Sequence, residues 1–367
     1  MVDDAHARRM AVMSSCDRIM SGVRPATMRE RLASLSAMPE VDGWGDRYGD
    51  GPVAALEARV AELLGTQSAL FFPTGTMAQQ IALRFWAQQT GNRFVVTHPQ
   101  AHVEVHERQA YASLSGLHAI WPTLEPHPPT AADITAVAEP FGSLLLELPL
   151  REAGYLLPEW SELVATVAAA RDRGARVHFD GARLWESTTH LGQPLTAIAA
   201  LADSVYVSFY KSLGGLYGAA LAGSAELTAY ARAWRHRHGG QLFQQWPGAL
   251  SALTGLDTEL PVLPELVRHA AVIAQALSAV PGARVHPLPP HTHQFQLWLP
   301  HPADALNEAA VSLGEQEKVW FAAGWRDGPI PGLAMAEVTV ARPALEWSAD
   351  DVAEVAARFL ACLAAAA

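Results

Sequence analysis

Lysine is nearly missing from this sequence. Of the 26 Lys and Arg residues in the 367-residue chain, only Lys211 and Lys318 are lysines. Arginine cannot replace lysine where a deprotonated amine must act as a nucleophile. Lys211 lies in an apolar, glycine-rich segment, where the alternative is a lysine that simply caps a strand end. The scarcity of lysine favours a chemical role.

Cysteine is equally scarce. The two cysteines, Cys16 and Cys362, lie at opposite ends of the sequence and form no metal-binding or redox motif. We therefore expect a protein of the reducing cytoplasm.

Long apolar runs and an excess of positive charge are also lacking. No run reaches the roughly 18 residues of a membrane span, and the charged first ten residues lack the apolar core of a signal peptide. The formal net charge is −11, without a basic stripe. We therefore expect neither a membrane nor a nucleic acid as partner.

Two short apolar runs lead to residues that can do chemistry. Val177–Phe179 is followed by Asp180, and Val205–Val207 ends shortly before Lys211. Both runs are typical of buried strands in a parallel sheet, where ligands bind beyond the carboxyl ends of the strands. An amine and a carboxylate at that edge suit pyridoxal phosphate (PLP), which needs an acidic partner to keep its pyridine nitrogen protonated.

A phosphate-binding arrangement is indicated earlier in the chain. Ser68–Phe72 predicts a strand, Pro73–Thr76 a turn and Met77–Thr90 a helix. The unpaired N–H groups at the start of such a helix, together with its dipole, bind anions. The alternative is that Thr74 is an ordinary N-cap threonine.

Strands and helices alternate along the chain, which predicts a mostly parallel sheet. A chain of 367 residues that is 50% hydrophobic can form one large domain and a smaller one. We expect an N-terminal arm and active-site loop at 1–50, a large cofactor-binding domain at 51–255 and a small domain at 256–367.

Several segments resemble the low-specificity threonine aldolases, which belong to the β-eliminating lyase group of PLP enzymes. HFDGARLWES, which contains Asp180, is similar to the family's His-x-Asp-Gly-Ala-Arg-Leu segment. SFYKSLGGLYGAALAG places Lys211 where the family has its Schiff-base lysine. The resemblance implies the aminotransferase-like fold type I, an α/β fold whose mostly parallel sheet has helices on both faces, plus a small C-terminal α/β domain.

The resemblance also implies roles around the cofactor. Lys211 would bind PLP covalently, Asp180 would keep the pyridine nitrogen protonated, and His102 would stack on the ring and act as an acid or base. Glu107 stands where the family has a glutamate. The residues expected to hold the phosphate are Thr74, Gly75, Thr76 and Ser208, with Thr74 in place of the family's serine.

Substrate binding is implied in the same way. Arg183 would bind the substrate carboxylate, and Ser21 and Tyr48 are further candidates for substrate contacts. Tyr48 belongs to the Trp44–Gly51 loop, whose counterpart in the family lines the active site of a neighbouring subunit. We therefore expect a homodimer or homotetramer with shared active sites.

The sequence departs from the family at three places. The second carboxylate-binding arginine falls on Glu337, and Arg342 could replace it only with a different strand register. Phe243 stands in place of another arginine, and Leu148 follows Glu147 where the family has Asn or Thr. We therefore expect weak cleavage of threonine and better activity on a larger or more apolar β-hydroxy amino acid, or a different PLP reaction.

The favoured function is a PLP-dependent carbon–carbon lyase that cleaves a β-hydroxy-α-amino acid to glycine and an aldehyde. β-Elimination, racemisation, transamination and a catalytically silent PLP-fold protein remain alternatives. A metal-dependent enzyme is a further alternative. His102 and His106 are four residues apart, and His286, His291 and His293 are close together in the sequence. Neither group has an evident complete ligand set, and we expect no metal site.

Overall fold

The computed structural model describes residues 4–366, which form two compact units. The larger unit comprises residues 34–262, and the smaller one comprises residues 4–33 together with residues 263–366. These limits differ from the expected boundaries after residues 50 and 255. The N-terminal segment groups with the C-terminal one because Arg18–Ile19 pairs in parallel with Val319–Trp320.

The described part of the chain contains thirteen strands. They are β1 (Arg18–Ile19), β2 (Ser68–Phe72), β3 (Phe94–Val96), β4 (His118–Ile120), β5 (Ser143–Glu147), β6 (Arg176–Gly181), β7 (Ser204–Ser208), β8 (Ala219–Gly223), β9 (Arg284–His286), β10 (Gln294–Leu299), β11 (Val319–Trp320), β12 (Arg326–Asp327) and β13 (Ala334–Thr339). Strands β5 to β8 are almost wholly buried, as is typical of strands that are covered on both faces.

Fifteen α-helices occur among the same residues. They are α1 (Asp4–Ser15), α2 (Met28–Ser36), α3 (Pro52–Leu64), α4 (Gly75–Thr90), α5 (His102–Val105), α6 (Ala110–Ser115), α7 (Ala131–Ala136), α8 (Trp160–Asp172), α9 (Thr188–Leu191), α10 (Leu195–Ala199), α11 (Ala225–Arg237), α12 (Trp246–Thr258), α13 (Leu263–Ser278), α14 (Ala303–Glu317) and α15 (Ala349–Ala366). Gly65 and Gly91 end α3 and α4 in the left-handed conformation.

The larger unit is built on one seven-stranded sheet. The strand order is β2-β8-β7-β6-β5-β3-β4, and only β8 runs antiparallel to its neighbours. Glu147 is paired in register with Asp180, and Asp180 with Tyr206. The sheet therefore brings a row of polar residues to the carboxyl ends of β5, β6 and β7.

Helices of the larger unit cover the sheet through alternating side chains. Leu70 and Phe72 of β2 pack in one cluster with Ile81 and Phe85 of α4. Phe71 lies between them in sequence and stacks on Phe209 instead, with ring centroids 6.2 Å apart. Because successive side chains of a strand point to opposite faces, both faces of this sheet are apolar and buried.

The smaller unit has a core of its own. Its four-stranded antiparallel sheet has the order β12-β13-β10-β9, and β1 and β11 form a separate parallel pair. One cluster of buried side chains joins strand residues such as Phe295 and Val338 to helix residues such as Ile273, Leu306 and Phe359. The unit thus buries one face of its sheet under α13, α14 and α15.

One helical stretch, Trp246–Ser278, has the length and the mean hydropathy, 1.2, of a candidate membrane span. It consists of α12 and α13, separated by the 3₁₀ turn Leu260–Val262. Residues of both helices, including Leu256 and Ile273, are buried inside the protein.

Candidate active site

Asp180 is the central residue of the polar row at the carboxyl ends of β5, β6 and β7. It lies near the end of β6 and has no exposed surface. Its Oδ1 accepts the backbone N–H of Ala182 at 3.1 Å, and its Oδ2 accepts Nε2 of Gln79 at 2.7 Å. A buried carboxylate is costly unless donors compensate it, and these two donors hold Asp180 in one orientation.

Glu147 lies beside Asp180 on β5. Burial and the charge of Asp180 raise the pKa of Glu147 to about 7. Its Oε2 accepts the backbone N–H of His102 at 2.7 Å, and its Oε1 that of Arg151 at 3.3 Å. Glu147 therefore anchors the two loops that follow β3 and β5.

His102 is the first residue of the short helix α5. Its Nδ1 lies 3.2 Å from Oε1 of Glu107, a carboxylate whose side chain is fully buried. Burial disfavours the imidazolium, but the hydrogen bond with Glu107 and the charges of Asp180, Glu107 and Glu147 outweigh burial and raise the pKa of His102. Because Nδ1 faces Glu107, Nε2 is the atom that can exchange a proton with a ligand.

Lys211 follows β7 after Phe209 and Tyr210, and it is half-buried. Burial and the charge of Arg183 lower the pKa of its amine, while the charges of Asp180 and Glu147 oppose this effect. A lowered pKa increases the fraction of neutral amine, the form that attacks a carbonyl group. The lysine selected by its scarcity therefore lies in surroundings that favour nucleophilic chemistry.

Arg183 lies just beyond β6 and is half-buried. Its guanidinium carbon stands 5.3 Å from the ring centre of Tyr155, a distance that permits a cation–π interaction. Its Nε is buried and has no hydrogen-bond partner within the described part of the chain. Arg183 thus retains a donor for an anionic group of a ligand.

The start of α4 has the features of an anion site. Thr74 caps the helix by accepting the N–H of Met77 at 3.4 Å, and Gly75 and Thr76 form the first turn. A Cβ at Gly75 would lie 2.1 Å from the hydroxyl of Tyr206, so only glycine fits there. Ser208 Oγ, at the end of β7, is buried without a hydrogen-bond partner among residues 4–366.

These groups fit PLP. An amine of lowered pKa and a buried, oriented carboxylate suit its aldehyde and its pyridine nitrogen. A helix start and the buried hydroxyl of Ser208 suit its phosphate. The roles themselves remain those expected from the sequence.

The Trp44–Gly51 loop is fixed by Asp46. This buried aspartate accepts the backbone N–H groups of Gln245 and Trp246 at 2.6 and 2.7 Å, at the start of α12. Tyr48 and Phe243 are both exposed, and their rings meet edge to face with centroids 5.3 Å apart. The expected substrate residue Tyr48 therefore belongs to an exposed aromatic surface of the larger unit.

Ser21 and Arg342, the other expected substrate contacts, belong to the smaller unit. Ser21 is buried, and its Oγ accepts the N–H of Thr339 at 3.1 Å. Arg342 begins the 3₁₀ turn that follows β13, and it is exposed. Glu337 lies 3.3 Å from Arg326 on the adjacent strand β12. The roles of Ser21 and Arg342 stay predictions.

No group of three or more His, Cys, Asp or Glu side chains among the described residues is placed to hold a metal ion. His102 contacts Glu107, whereas His106 lies 2.9 Å from Glu152. The two histidine rings are 5.2 Å apart between centroids and serve different carboxylates.

Sequence reasoning missed two functional candidates, Gln79 and Glu147. Glu147 is the last residue of an apolar strand, and Asp180 is the second-last residue of its own strand. This shared position at a strand end could have marked Glu147 as a candidate. Gln79 is a polar residue in a helix that is otherwise largely apolar and buried. Its contact with Asp180 joins residues 101 positions apart and leaves no local trace in the sequence.

Comparisons with known proteins agree with this geometry. A sequence model described as beta-eliminating lyase matches residues 26–297. Low-specificity L-threonine aldolase 1 of Arabidopsis thaliana is 29% identical over 291 residues, which are 75% of this chain and 78% of that protein.

Two solved structures are similar over nearly the whole chain. One, from Exiguobacterium sp. 255-15 and described as an aromatic amino acid beta-eliminating lyase/threonine aldolase, has a TM-score of 0.90 and 32% identity, covering 97% of this chain and 99% of that one. The other, from Listeria monocytogenes EGD-E and described as an L-allo-threonine aldolase, has a TM-score of 0.89 and 31% identity, covering 98% and 99%.

Proposed function

Because the chain belongs to the β-eliminating lyase family, we propose that it is a PLP-dependent lyase of the threonine aldolase type. It cleaves the Cα–Cβ bond of a β-hydroxy-α-amino acid and releases glycine and an aldehyde. The observation that carries the proposal is the pair formed by Lys211, whose amine has a lowered pKa, and Asp180, whose carboxylate is buried and held by two donors.

Lys211 holds the cofactor, and Asp180 stabilises the proton on its pyridine nitrogen. When bound, PLP accepts the electron pair of the bond that breaks at Cα. The first turn of α4 and Ser208 bind the phosphate, supported by the glycine at position 75 and the unpartnered Ser208 hydroxyl within the described residues.

His102 moves the proton of the substrate hydroxyl. Cleavage of the Cα–Cβ bond requires that the β-hydroxyl lose its proton as the aldehyde forms. Glu107 binds Nδ1 and stabilises the imidazolium, so Nε2 is a stronger base than that of an isolated histidine. Glu147 supports this role because it holds the backbone N–H of His102.

Arg183 binds the substrate carboxylate. Its buried Nε, unpartnered within the described chain, and its position over the ring of Tyr155 support this assignment. With Glu337 and Phe243 in place of two arginines, the chain offers fewer cationic groups for a substrate than the family pattern does. This favours a substrate with a larger or more apolar side chain than threonine, or a different PLP reaction at the same cofactor.

The decisive experiment compares kcat/KM for threonine and for phenylserine, with detection of the aldehyde. Losing one charge-assisted hydrogen bond to a carboxylate costs about 1.5–3 kcal/mol, or roughly ten- to a hundredfold in affinity. We expect threonine to be the poorer substrate. A clear preference for threonine would contradict the inference from Glu337 and Phe243.

A parallel assay tests the reaction type. If pyruvate or a racemised amino acid forms without aldehyde, the enzyme catalyses elimination or racemisation at the same cofactor and not the aldolase reaction.

The protein acts in the cytoplasm as a homodimer or homotetramer with shared active sites. The exposed rings of Trp44, Tyr48 and Phe243 support such an interface, because large aromatic side chains are enriched in interfaces. Sedimentation of the active enzyme tests this. A fully active monomer would exclude shared sites.

A further inference from the structure

Gln79 is a buried amide between two carboxylates. It lies early in α4 and has no exposed surface. Its Nε2 is 2.7 Å from Oδ2 of Asp180 and 3.3 Å from Oε1 of Glu107. A side-chain amide nitrogen carries two hydrogens, so Gln79 can donate one to each carboxylate.

The orientation of this amide follows from its neighbours. The opposite rotation would point the carbonyl oxygen at Asp180 and Glu107, two acceptors, and would be repulsive. In the observed orientation Gln79 Oε1 is buried and finds no hydrogen-bond partner among residues 4–366. A buried side-chain amide whose carbonyl oxygen has no partner is best explained by the hydrogen bonds that its NH₂ group donates.

The two carboxylates depend on the Gln79 donor to different degrees. Glu107 has two further neighbours, Nε2 of Gln80 at 3.1 Å and Nδ1 of His102 at 3.2 Å. Within residues 4–366, Asp180 has one other hydrogen-bond donor, the N–H of Ala182. Without Gln79, the Asp180 carboxylate would keep a single donor and its orientation would be less firmly fixed.

We propose that Gln79 is a positioning residue that fixes the orientation of the Asp180 carboxylate and links Asp180 to His102 through Glu107. The proposal rests on the proposed function, in which Asp180 acts on the pyridine nitrogen. Gln79 touches neither substrate nor cofactor in this role. It acts through the carboxylate that does.

The adjacent residue provides a matched control. Gln80 is on the same helix, is buried, and donates to Glu107. Gln79→Met and Gln80→Met remove amides of the same size, and each removes a hydrogen bond to Glu107. Only Gln79→Met also removes the hydrogen bond to Asp180.

The variants are compared as holoenzymes by three measurements. These are the PLP dissociation constant, the pH titration of the cofactor's visible absorbance, and kcat on the best substrate. We expect Gln79→Met to lower kcat at least about tenfold, equal to about 1.4 kcal/mol, to weaken PLP binding and to shift the absorbance titration. Gln80→Met should leave all three within about twofold of the wild type.

A second variant keeps the test valid if Gln79→Met folds poorly. Gln79→Glu preserves the shape of the side chain but donates a hydrogen only when it is protonated. The ionised carboxylates of Asp180, Glu107 and Glu147 favour that protonated state, whereas an imidazolium at His102 opposes it. PLP affinity of Gln79→Glu should therefore recover as the pH falls, whereas that of the wild type should not improve.

Two outcomes overturn the proposal. One is equal behaviour of Gln79→Met and Gln80→Met in PLP affinity and absorbance titration. The other is a Gln79→Glu variant whose PLP affinity shows no recovery at low pH. Both measurements need no substrate, so they decide the role of Gln79 even if the aldolase assay fails for the wild type.

Discussion

The two lysines of this chain differ in almost every respect except residue type. Lys211 is half-buried, follows a strand of the larger unit and has an amine of lowered pKa. Lys318 is exposed and ends α14 in the left-handed conformation, with φ of 59°. The backbone of Lys318 matters most, because its N–H bonds to Gly314 and its carbonyl accepts the N–H of Asp17 at 2.8 Å.

The comparison shows that burial and neighbouring charges, more than residue type, determine whether a lysine can act as a nucleophile. At Lys211, burial and the charge of Arg183 favour the neutral amine over the cation. Lys318 is exposed and lies at the end of a helix, a position suited to cations. Scarcity alone selects both residues equally; the sequence around Lys211 sets it apart, and the fold shows the different surroundings of the two amines.

The largest expected effect comes from exchanging each lysine for alanine. Lys211→Ala should abolish activity and covalent attachment of PLP while the fold is retained, because no other residue supplies an amine at that position. Lys318→Ala, the matched control, should keep normal activity. Borohydride reduction followed by peptide mass analysis reports the site of attachment. A reduced PLP adduct on Lys211→Ala protein would refute the assignment.

Asp180→Asn is expected to have the next largest effect. A neutral amide cannot stabilise a protonated pyridine nitrogen, so kcat should fall by about 10²- to 10⁴-fold, with PLP still bound. Asp203→Asn is the control, since Asp203 is also a strand-associated aspartate but pairs with Arg176 and the N–H of Val177 at the start of β6. Turnover measured on both variants decides, and near-normal kcat in Asp180→Asn would exclude its proposed role.

Much of the fold could be predicted where strands are apolar and bounded by turns. The bounds of β2 agree with the sequence prediction residue for residue. The antiparallel strand β8, Ala219–Gly223, was missed because alanine and glycine lack the bulk that marks a strand. Helix α4 starts two residues earlier than expected, since Gly75 is typical of a turn yet occupies the first helical turn.

The site could be predicted only in part. Motifs, together with apolar runs that predict strands, mark Lys211 and Asp180 as candidates. The network of Gln79, Glu107 and Glu147 depends on side chains brought together from separate strands and helices. Neither the spacing of apolar residues nor the residue types in turns encodes such contacts. Glu107 was identified through the family resemblance, and Gln79 and Glu147 only through the structure.

The smallest expected effect concerns the charge of Arg183. Burial and Arg183 both lower the pKa of Lys211, so Arg183→Met should raise that pKa towards the value of an exposed lysine. The sign follows from charge: the neighbouring guanidinium destabilises the protonated amine, and its removal lets the proton stay bound to a higher pH.

Competitive acylation of the PLP-free protein measures this effect directly, because each lysine lies in a different peptide. In the wild type, Lys211 should become reactive at a lower pH than Lys318. In Arg183→Met its reactivity should require a higher pH than in the wild type, while the profile of Lys318 stays unchanged. If the profile of Lys211 does not move, the charge of Arg183 does not set its nucleophilicity, and burial alone separates the two lysines.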